Sequence, residues 1–370
     1  MSRYARGAVA PTLWAARAGV AERAVRDRHL RRVWGLPGTA LGRAAWPPRP
    51  GQRLFTEWNY WWQAHLLDCL VDAQLRDPVP DRVRVVRQLV RGIRVRNLGS
   101  WTNSYYDDVA WLGLALLRAS DHLGLDTGAA VGRITEQLRA GWTDHGGGGI
   151  WWRRGDTFKN VPANGPAAIL LARAQRAPTG GDRADRQRAR SMTNWMTRAL
   201  RDPRTGLLFD GLHVAPDGSI TDVTRIFYSY CQGVYLGACV ELGAHDPGGG
   251  WLDRAVDVVY ATAGHLAPAG VIAATAGGDG GLFAGILTRY LALAVPHLPT
   301  DAADVARGLV LASADAAWRN RTVAPGGPVF PADWARPADQ PDAHRPERAL
   351  SVQLSGWMVL EAAARLERPA

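Results

Sequence analysis

Two adjacent carboxylates, Asp107 and Asp108, open a long apolar segment of this 370-residue chain and directly follow Tyr105 and Tyr106. Neighbouring Cα atoms lie about 3.8 Å apart, so the two carboxyl groups stay within roughly 5 to 6 Å unless their side chains diverge. At that separation one carboxylate raises the pKa of the other, which leaves one group able to donate a proton while its neighbour stays anionic. Such a pair suits glycoside hydrolysis, and the short separation favours a retaining double displacement over an inverting reaction.

A second interpretation of this pair stays open. Carboxylates are also favoured in the first turn of a helix, where they interact with free backbone N–H groups and with the helix dipole. Asp107 and Asp108 stand where the apolar segment from Val109 to Leu117 begins, so a purely structural cap fits the same position. The choice between the two interpretations depends on the elements that place the pair.

The hydrophobic pattern predicts about twelve helices, separated by loops rich in Gly, Pro and Asp, and hardly any strands. The odd-numbered helices carry a charged face at helical spacing, whereas the even-numbered ones are mostly apolar or small around their circumference. Six outer helices that alternate with six inner ones make an all-α (α/α)6 barrel. The predicted helices span residues 12–34, 54–76, 81–95, 105–124, 128–142, 162–177, 182–201, 226–243, 249–267, 280–297, 300–320 and 347–366.

Polar and aromatic residues cluster near the starts of the inner helices. Strict alternation makes all inner helices parallel, so these starts share one rim, and we expect the cleft there. Such a gathering favours the catalytic interpretation of the Asp pair. The clusters are Asn59-Tyr60-Trp61-Trp62, Tyr105 to Asp108, Lys159-Asn160 with Asn164, and Tyr228 to Gln232.

The length and the lack of a linker or charge block predict one catalytic domain over residues 1–370, with residues 1–50 as the first outer helix and its lead-in. The net charge of +10 comes from dispersed Arg residues and a single lysine, Lys159, which argues against a nucleic-acid-binding stripe. The three cysteines lack the spacing of a zinc site or a disulfide framework, and the histidines lack that of a metal site or a catalytic triad. We therefore expect no metal and no other cofactor.

No segment reaches about 18 consecutive apolar residues, and the N-terminal segment lacks the apolar stretch of a signal peptide. We expect a cytoplasmic monomer with no membrane or nucleic-acid partner; secretion stays open only if a leader is missing from this sequence. The 16 Trp residues, several times the ordinary share, suggest aromatic surfaces of the kind that bind sugars.

Several motifs resemble those of glycoside hydrolase family 76, the endo-α-1,6-mannanases. The resemblance covers roughly residues 50–366, with the motifs in the family's order. It implies an (α/α)6 fold and retaining cleavage of α-1,6-mannosidic linkages in mannan or manno-oligosaccharides, with Asp107 matching the nucleophile and Asp108 the general acid/base. The motifs are Asn59 to Trp62, Tyr105 to Trp111, Gly148 to Trp152, Phe158 to Gly165, Tyr230 to Ala238, Phe283 to Leu291 and Gln353 to Gly356.

Twelve further residues are candidates for contacts with a substrate. Aromatic side chains offer stacking surfaces for sugar rings, and amide, ammonium and carboxylate groups offer partners for hydroxyls. Each has a structural alternative: core packing for the tyrosines, plugging of the barrel end for the paired tryptophans, and capping or turn formation for the polar residues. The resemblance implies that one of them, Asp210, is an acid that contacts the substrate. The candidates are Asn59, Tyr60, Trp61, Tyr105, Tyr106, Trp151, Trp152, Lys159, Asn160, Asn164, Asp210 and Gln232.

The chain departs from the family at Cys231, where the family usually has Asn, and we expect this difference to alter a subsite. Two other functions stay open. Sugar 2-epimerases and unsaturated-uronyl hydrolases use related helical barrels, although the inner-helix starts lack the clustered His of an epimerase. A non-catalytic glycan-binding protein would keep the Asp pair only as a helix cap.

Overall fold

The computed structural model describes residues 12–174 and 183–368 of the chain. Twelve helices of twelve or more residues form the framework of this described part, together with a single turn of helix at Pro50–Arg53. The long helices are α1 (Leu13–His29), α2 (Tyr60–Arg76), α3 (Pro80–Arg96), α4 (Tyr106–Leu123), α5 (Gly128–Ala140), α6 (Val161–Ala174), α7 (Arg183–Leu200), α8 (Ser229–Gly243), α9 (Trp251–His265), α10 (Phe283–Ala294), α11 (Thr300–Arg319) and α12 (Leu350–Leu366).

The six even-numbered helices form a closed inner ring, in which each packs against the next and α12 returns to α2. Their buried residues lie on all sides, as in α8, where every residue except Tyr230 is buried. The odd-numbered helices are amphipathic and pack on the outside, because only their apolar faces can be removed from water. The predicted all-α (α/α)6 barrel is therefore confirmed.

The observed helix boundaries differ from the predicted ones by a few residues at most ends, with two larger differences. Helix α1 ends at His29 rather than at 34, because Leu30–Arg31 pairs with Leu41–Gly42 as a short antiparallel ladder. Helix α2 begins at Tyr60 rather than at 54, because Asn59 has a φ of 48°, outside the helical region. The predicted helix end at 177, the predicted start at 182 and the first eleven residues of the lead-in lie outside the described residues.

In the described part of the chain, seven short strands, which the hydrophobic pattern does not reveal, connect or brace the loops. They are too short for a period-2 pattern to show in the sequence. The central three strands form one antiparallel sheet, and the others form two hairpin-like ladders. The strands are β1 (Leu30–Arg31), β2 (Leu41–Gly42), β3 (Phe158–Asn160), β4 (Gly211–Val214), β5 (Ile220–Thr224), β6 (Thr322–Ala324) and β7 (Gly327–Val329).

A buried cluster of charges crosses the interior of the barrel. Asp68 and Asp72 of α2 are ion-paired with Arg118 of α4 and also with Arg289 of α10, which lies on the far side of the ring. Arg289 contacts Asp68 at 2.6 Å and Asp72 at 2.7 Å. The cluster joins three inner helices through side chains instead of apolar packing.

Within the described ranges, 12–174 and 183–368, no helix combines the length and the apolar character needed to cross a membrane.

Candidate active site

The Asp pair lies in the first turn of α4, on the rim where the inner helices begin. The segment around Trp152 runs beside this turn, since Tyr105 forms a β-bridge with Arg153 and the Tyr106 N–H donates to the Trp152 carbonyl at 2.9 Å. This backbone pairing brings the Trp152 indole next to Asp107. The helix start and the loop therefore build the site together.

Each carboxylate has its own set of donors. One oxygen of Asp107 accepts from the backbone N–H of Asp108 at 2.9 Å, and the other accepts from the Trp152 indole N–H at 2.9 Å. Asp108 accepts from the side-chain amide of Asn103 at 2.6 Å. The donor to Asp108 comes from a neighbouring loop rather than from the helix backbone, which is unlike a helix cap.

Burial raises the pKa values of both carboxyl groups. Burial raises the pKa of Asp107 to about 7, against the lowering effect of its two donors. The pKa of Asp108 is raised well above its ordinary value, first by burial and then by the charge of Asp107. The raised pKa of Asp108 favours its protonated form, so one carboxyl of the pair can act as an acid while the other acts as a base.

A cleft of about 530 Å³ surrounds the pair and is lined mainly by aromatic side chains. This volume falls within the usual range for small-molecule sites, roughly 300 to 1,000 Å³. Tyr230 and Phe283 stack with ring centroids 3.8 Å apart, and Trp61 stacks on Trp111 at 6.4 Å, so broad ring faces form the walls. The cleft is lined by Asn59, Tyr60, Trp61, Tyr105, Asp107, Asp108, Trp111, Trp152, Tyr228, Tyr230, Asp279 and Phe283.

A second, more open groove of about 840 Å³ leads away from Asp108. It shares Asn59, Tyr60, Tyr105 and Asp108 with the first cleft, so the two spaces meet at these residues. Asp107 lines only the first cleft. The pair thus stands at a junction, with Asp107 facing one space and Asp108 facing both.

Asp279 is a cleft residue that the sequence reasoning missed. It lies in the short 3-10 turn Gly278–Leu282 before α10, and its Oδ1 accepts from the indole N–H groups of Trp61 at 3.0 Å and Trp62 at 2.8 Å. Its negative charge contributes to the raised pKa values of Asp107 and Asp108, after burial. The only sequence signal for it was a position just before an inner helix. The set of candidate contacts also omitted Asn103, Trp111, Tyr228, Tyr230 and Phe283, although all but Asn103 lie within the predicted rim clusters or the quoted motifs.

Five of the predicted substrate-binding residues line the cleft beside the Asp pair: Asn59, Tyr60, Trp61, Tyr105 and Trp152. The Tyr60 hydroxyl donates to the Trp101 carbonyl at 2.6 Å, so the ring of this largely buried residue is fixed in orientation. Their contact with a substrate stays a prediction.

Lys159 requires a correction, because its side chain is fully buried and does not reach the cleft. Its ammonium lies 2.7 to 2.9 Å from five oxygens, four of them backbone carbonyls of residues 143–149 and the fifth the Thr143 hydroxyl. Burial lowers the pKa of Lys159 to about 8, which still leaves most of the group charged at neutral pH. The ammonium therefore holds the Gly-rich loop in place instead of binding sugar.

Three of the four predicted amides also require a correction. Asn160 caps the start of α6 by accepting from the Ala163 N–H at 3.1 Å, and both Asn164 and Gln232 are fully buried. Asn164 pairs with both peptide groups of Ile150, and Gln232 pairs in the same way with Leu208. The amides of Asn164 and Gln232 thus have both ends paired with backbone groups, and the Asn160 oxygen is paired with the helix start.

Tyr106 and Trp151 lie outside the lining of both spaces. Tyr106 is 6% exposed and packs directly against Gly141, where an added Cβ would lie 2.5 Å from the ring. Trp151 covers the ammonium of Lys159, whose nitrogen is 4.5 Å from the ring centroid. Core packing, the structural alternative, describes Tyr106. Trp151 packs on Lys159 within the loop, and the alternative that it plugs the barrel end stays a prediction.

Asp210 lies next to Cys231, whose thiol is 3.8 Å from its carboxylate. Burial raises the pKa of Asp210 to about 6, although the weak hydrogen bond from the Cys231 thiol acts to lower it. Cys231 itself is fully buried, and neither Cys231 nor Asp210 belongs to the lining of the cleft or of the groove. Whether Asp210 contacts a substrate stays a prediction.

Among the residues that the structure describes, no group of three or more His, Cys, Asp or Glu side chains is arranged to hold a metal ion.

An (α/α)6 barrel with a carboxylate pair in an aromatic cleft at the inner-helix rim is the arrangement expected of a carbohydrate-processing hydrolase. Comparison with known families identifies the family to which the chain belongs. The family model for glycosyl hydrolase family 76 matches residues 21–367, and the chain belongs to this family. It is a glycoside hydrolase.

Solved structures with similar chains agree with this assignment. An α-1,6-mannanase of the same family from Salegentibacter sp. HEL1_6 is 31% identical, with a TM-score of 0.84 over 96% of this chain and all of that one. An inactive variant of that enzyme, with two consecutive aspartates replaced by asparagine, was solved with α-1,6-mannotriose; it is 30% identical, with a TM-score of 0.84 and coverage of 96% and 100%. The Lin0763 protein from Listeria innocua is 26% identical, with a TM-score of 0.83 and coverage of 96% and 97%. The comparison with curated proteins gives no significant match.

Proposed function

We propose that this enzyme hydrolyses α-1,6-mannosidic linkages in mannan or manno-oligosaccharides with retention of configuration, and that Asp107 and Asp108 carry the reaction. The observation behind this proposal is the shared position of both carboxylates at the centre of the cleft. The similar Salegentibacter enzyme is inactive when two consecutive aspartates are replaced, and Asp107-Asp108 is the only such pair in this sequence. That enzyme also binds α-1,6-mannotriose in its inactive form.

In the first step the Asp107 carboxylate attacks the anomeric carbon, and the bond from this carbon to the 6-oxygen of the next sugar breaks. Asp108 gives its proton to that departing oxygen, so a neutral alcohol leaves and a glycosyl ester forms on Asp107. In the second step Asp108, now anionic, removes a proton from water. The water oxygen attacks the same carbon from the opposite face and releases Asp107, and the product keeps the original anomeric configuration.

The hydrogen bonds support this division of roles. The nucleophile has to be ionised, and Asp107 has two donors that favour its charged form, whereas Asp108 has one. The charge of Asp107 in turn raises the pKa of Asp108, which keeps the proton needed by the leaving group. Since the pKa of Asp107 is about 7, kcat/KM of the free enzyme should fall as the pH drops below about 7.

Hydrolysis of α-1,6-mannotetraose by the purified protein tests the proposal, with NMR detection of the first anomer released. We expect the α-anomer first, and we expect Asp107→Asn and Asp108→Asn to lower kcat by at least about a thousandfold. Asp253→Asn, on the exposed face of outer helix α9, removes one charge at a distance and should leave kcat unchanged.

Two results would contradict the proposal. Release of the β-anomer first would indicate inversion and would remove the nucleophile role of Asp107. Tight binding of the tetrasaccharide without turnover, unchanged in both Asp variants, would instead favour a glycan-binding protein in which the pair is structural.

A further inference from the structure

Trp34 is a large aromatic residue held at the surface, outside both spaces described above. It is 51% exposed and lies in the short turn Val33–Gly35 between β1 and β2. Its φ of 49° is uncommon for a residue with a side chain, and its indole N–H donates to the Leu54 carbonyl at 2.8 Å. The ring is therefore fixed in orientation while one half of its surface faces solvent.

Arg96 connects this ring to the open groove. Its guanidinium lies 6.0 Å from the centroid of Trp34 and 5.1 Å from that of Trp58, and it donates to the carbonyl of Phe55. Trp58 lines the groove, and its ring packs edge-on against Tyr60 at 5.6 Å. An aromatic row thus runs outward from the junction of the two spaces to the surface.

We propose that Trp34 and Trp58 form a distal binding platform for a neutral polysaccharide chain, continuous with the catalytic cleft. Fixed aromatic faces with solvent access suit the C–H faces of sugar rings, because stacking buries apolar area while the hydroxyl groups at the ring edge stay in water. Arg96 packs between the two rings and keeps them from collapsing together, with its charge balanced by backbone carbonyls. The occupant is therefore part of the same glycan that the enzyme cleaves.

The position of the row fixes which part of the glycan it binds, a step that rests on the proposed function. Asp107 faces only the first cleft, so the sugar that becomes bonded to it lies there. Asp108, which protonates the leaving oxygen, also faces the open groove. The groove and the Trp34 platform therefore bind the leaving-group side of the chain, several sugars away from the scissile bond.

A comparison of long and short substrates tests the platform. For Trp34→Ala we expect kcat/KM on α-1,6-mannan to fall by about three- to tenfold, with a smaller loss on α-1,6-mannotetraose, because the short substrate reaches less of the aromatic row. Trp34→Phe keeps an aromatic face and should restore most of the activity on mannan. Tyr260→Ala removes an aromatic ring that is 46% exposed on outer helix α9 and should change neither value.

The ratio of the two kcat/KM values decides the outcome. The platform does not exist if the kcat/KM on mannan divided by the kcat/KM on mannotetraose is the same for Trp34→Ala as for the unchanged enzyme. This holds whether or not both kcat/KM values have fallen. If the unchanged enzyme cleaves neither substrate, the proposed function fails first, and the assignment of the platform to the leaving-group side fails with it.

Discussion

At the scale of single residues, the different behaviour of two adjacent aspartates arises from their neighbours. Asp107 and Asp108 have the same intrinsic acidity and share one helical turn, so their different roles, which the family resemblance implies, need a physical cause in their surroundings. The Trp152 indole and a backbone N–H favour the ionised form of Asp107, whereas Asp108 has only the Asn103 amide and a negative neighbour. These neighbours favour different protonation states for the two carboxyls within one turn of helix, as the proposed mechanism requires.

Removal of the indole donor should shift the acidic limb of the pH profile. Trp152→Phe keeps an aromatic ring but deletes a hydrogen bond to a charged oxygen, a loss of roughly 1.5 to 3 kcal/mol. Because that bond lowers the pKa of Asp107, its loss raises the pKa, and the nucleophile ionises only at higher pH. We expect kcat/KM at neutral pH to fall about tenfold or more, and we expect the acidic limb of the pH profile to move to higher pH.

The neighbouring Trp151→Phe provides the matched control for Trp152→Phe. Trp151 lies on the same loop but outside the cleft, against Lys159. Its replacement should leave the acidic limb in place. Identical profiles for the two variants would show that the indole of Trp152 does not set the ionisation of Asp107.

The charge of Asp279 should affect the alkaline limb of the pH profile of kcat/KM. Asp279→Asn keeps the size and an acceptor for Trp61 and Trp62 but removes a negative charge that raises the pKa values of the pair. The pKa of the general acid should therefore decrease, and the alkaline limb of kcat/KM should move to lower pH. Asp253→Asn serves as the control for the loss of one charge, and an unmoved alkaline limb in Asp279→Asn would refute the effect.

At the scale of elements, four inner helices use the same device near the rim. The fourth residue of α2, α6, α8 and α12 is a buried amide whose oxygen and nitrogen pair with both peptide groups of one loop residue, as in a β-bridge. Each amide thereby fixes a loop to the start of a helix, and its side chain takes the place of a partner strand. The pairs are Gln63 with Gly42, Asn164 with Ile150, Gln232 with Leu208, and Gln353 with Phe330.

Gln232→Leu distinguishes this structural role from the predicted contact with substrate. The substitution leaves the N–H and carbonyl of Leu208 and the carbonyl of Tyr228 without their partner. We expect the free energy of unfolding to fall by about 2 to 5 kcal/mol, because each buried unpaired group costs about 1 to 3 kcal/mol. Urea denaturation measures the loss, and KM for α-1,6-mannotetraose should stay within about twofold of the original value below the unfolding transition. A raised KM at unchanged stability would return Gln232 to the binding site.

At the scale of the whole molecule, the barrel is closed by apolar packing around the ring and by charges across its interior. Arg289 on α10 reaches Asp68 and Asp72 on α2, so the charge cluster joins helices that are not neighbours in the ring. Burial opposes ionisation of Asp68, yet Arg118 and Arg289 hold its pKa below the ordinary value. A group whose pKa is lowered by folding stabilises the protein above its unfolded pKa and loses that contribution as the pH falls.

Arg289→Met should destabilise the barrel by about 3 to 5 kcal/mol at neutral pH, because it leaves two buried carboxylates with Arg118 as their one remaining ion-pair partner among those described above. The difference in the free energy of unfolding between the unchanged protein and the variant should shrink as the pH falls toward 4, where the under-compensated carboxylates take up protons. Urea denaturation at several pH values measures both effects. Arg319→Met breaks an exposed ion pair on α11 and should cost no more than about 1 kcal/mol at any pH. A difference between Arg289→Met and the unchanged protein that does not vary with pH would contradict this account.

The sequence by itself determined the barrel, its alternation of inner and outer helices, its family and the Asp pair. These properties follow from local regularities: apolar residues at helical spacing mark the buried faces, and two neighbouring residues are close in space in any fold. The sequence also located the rim, because a helix start can be recognised within a few residues of the chain.

Only the tertiary structure decided which rim residues face the cleft. Asn164 and Gln232 stand at the start of inner helices as Trp61 does, but their side chains turn toward loops whose unpaired peptide groups need partners. Asp279 comes within range of the Asp pair although more than 170 residues separate them in the chain. The direction of a side chain at a helix end, and the loops packed beside it, depend on contacts between distant segments, and no local pattern encodes these contacts.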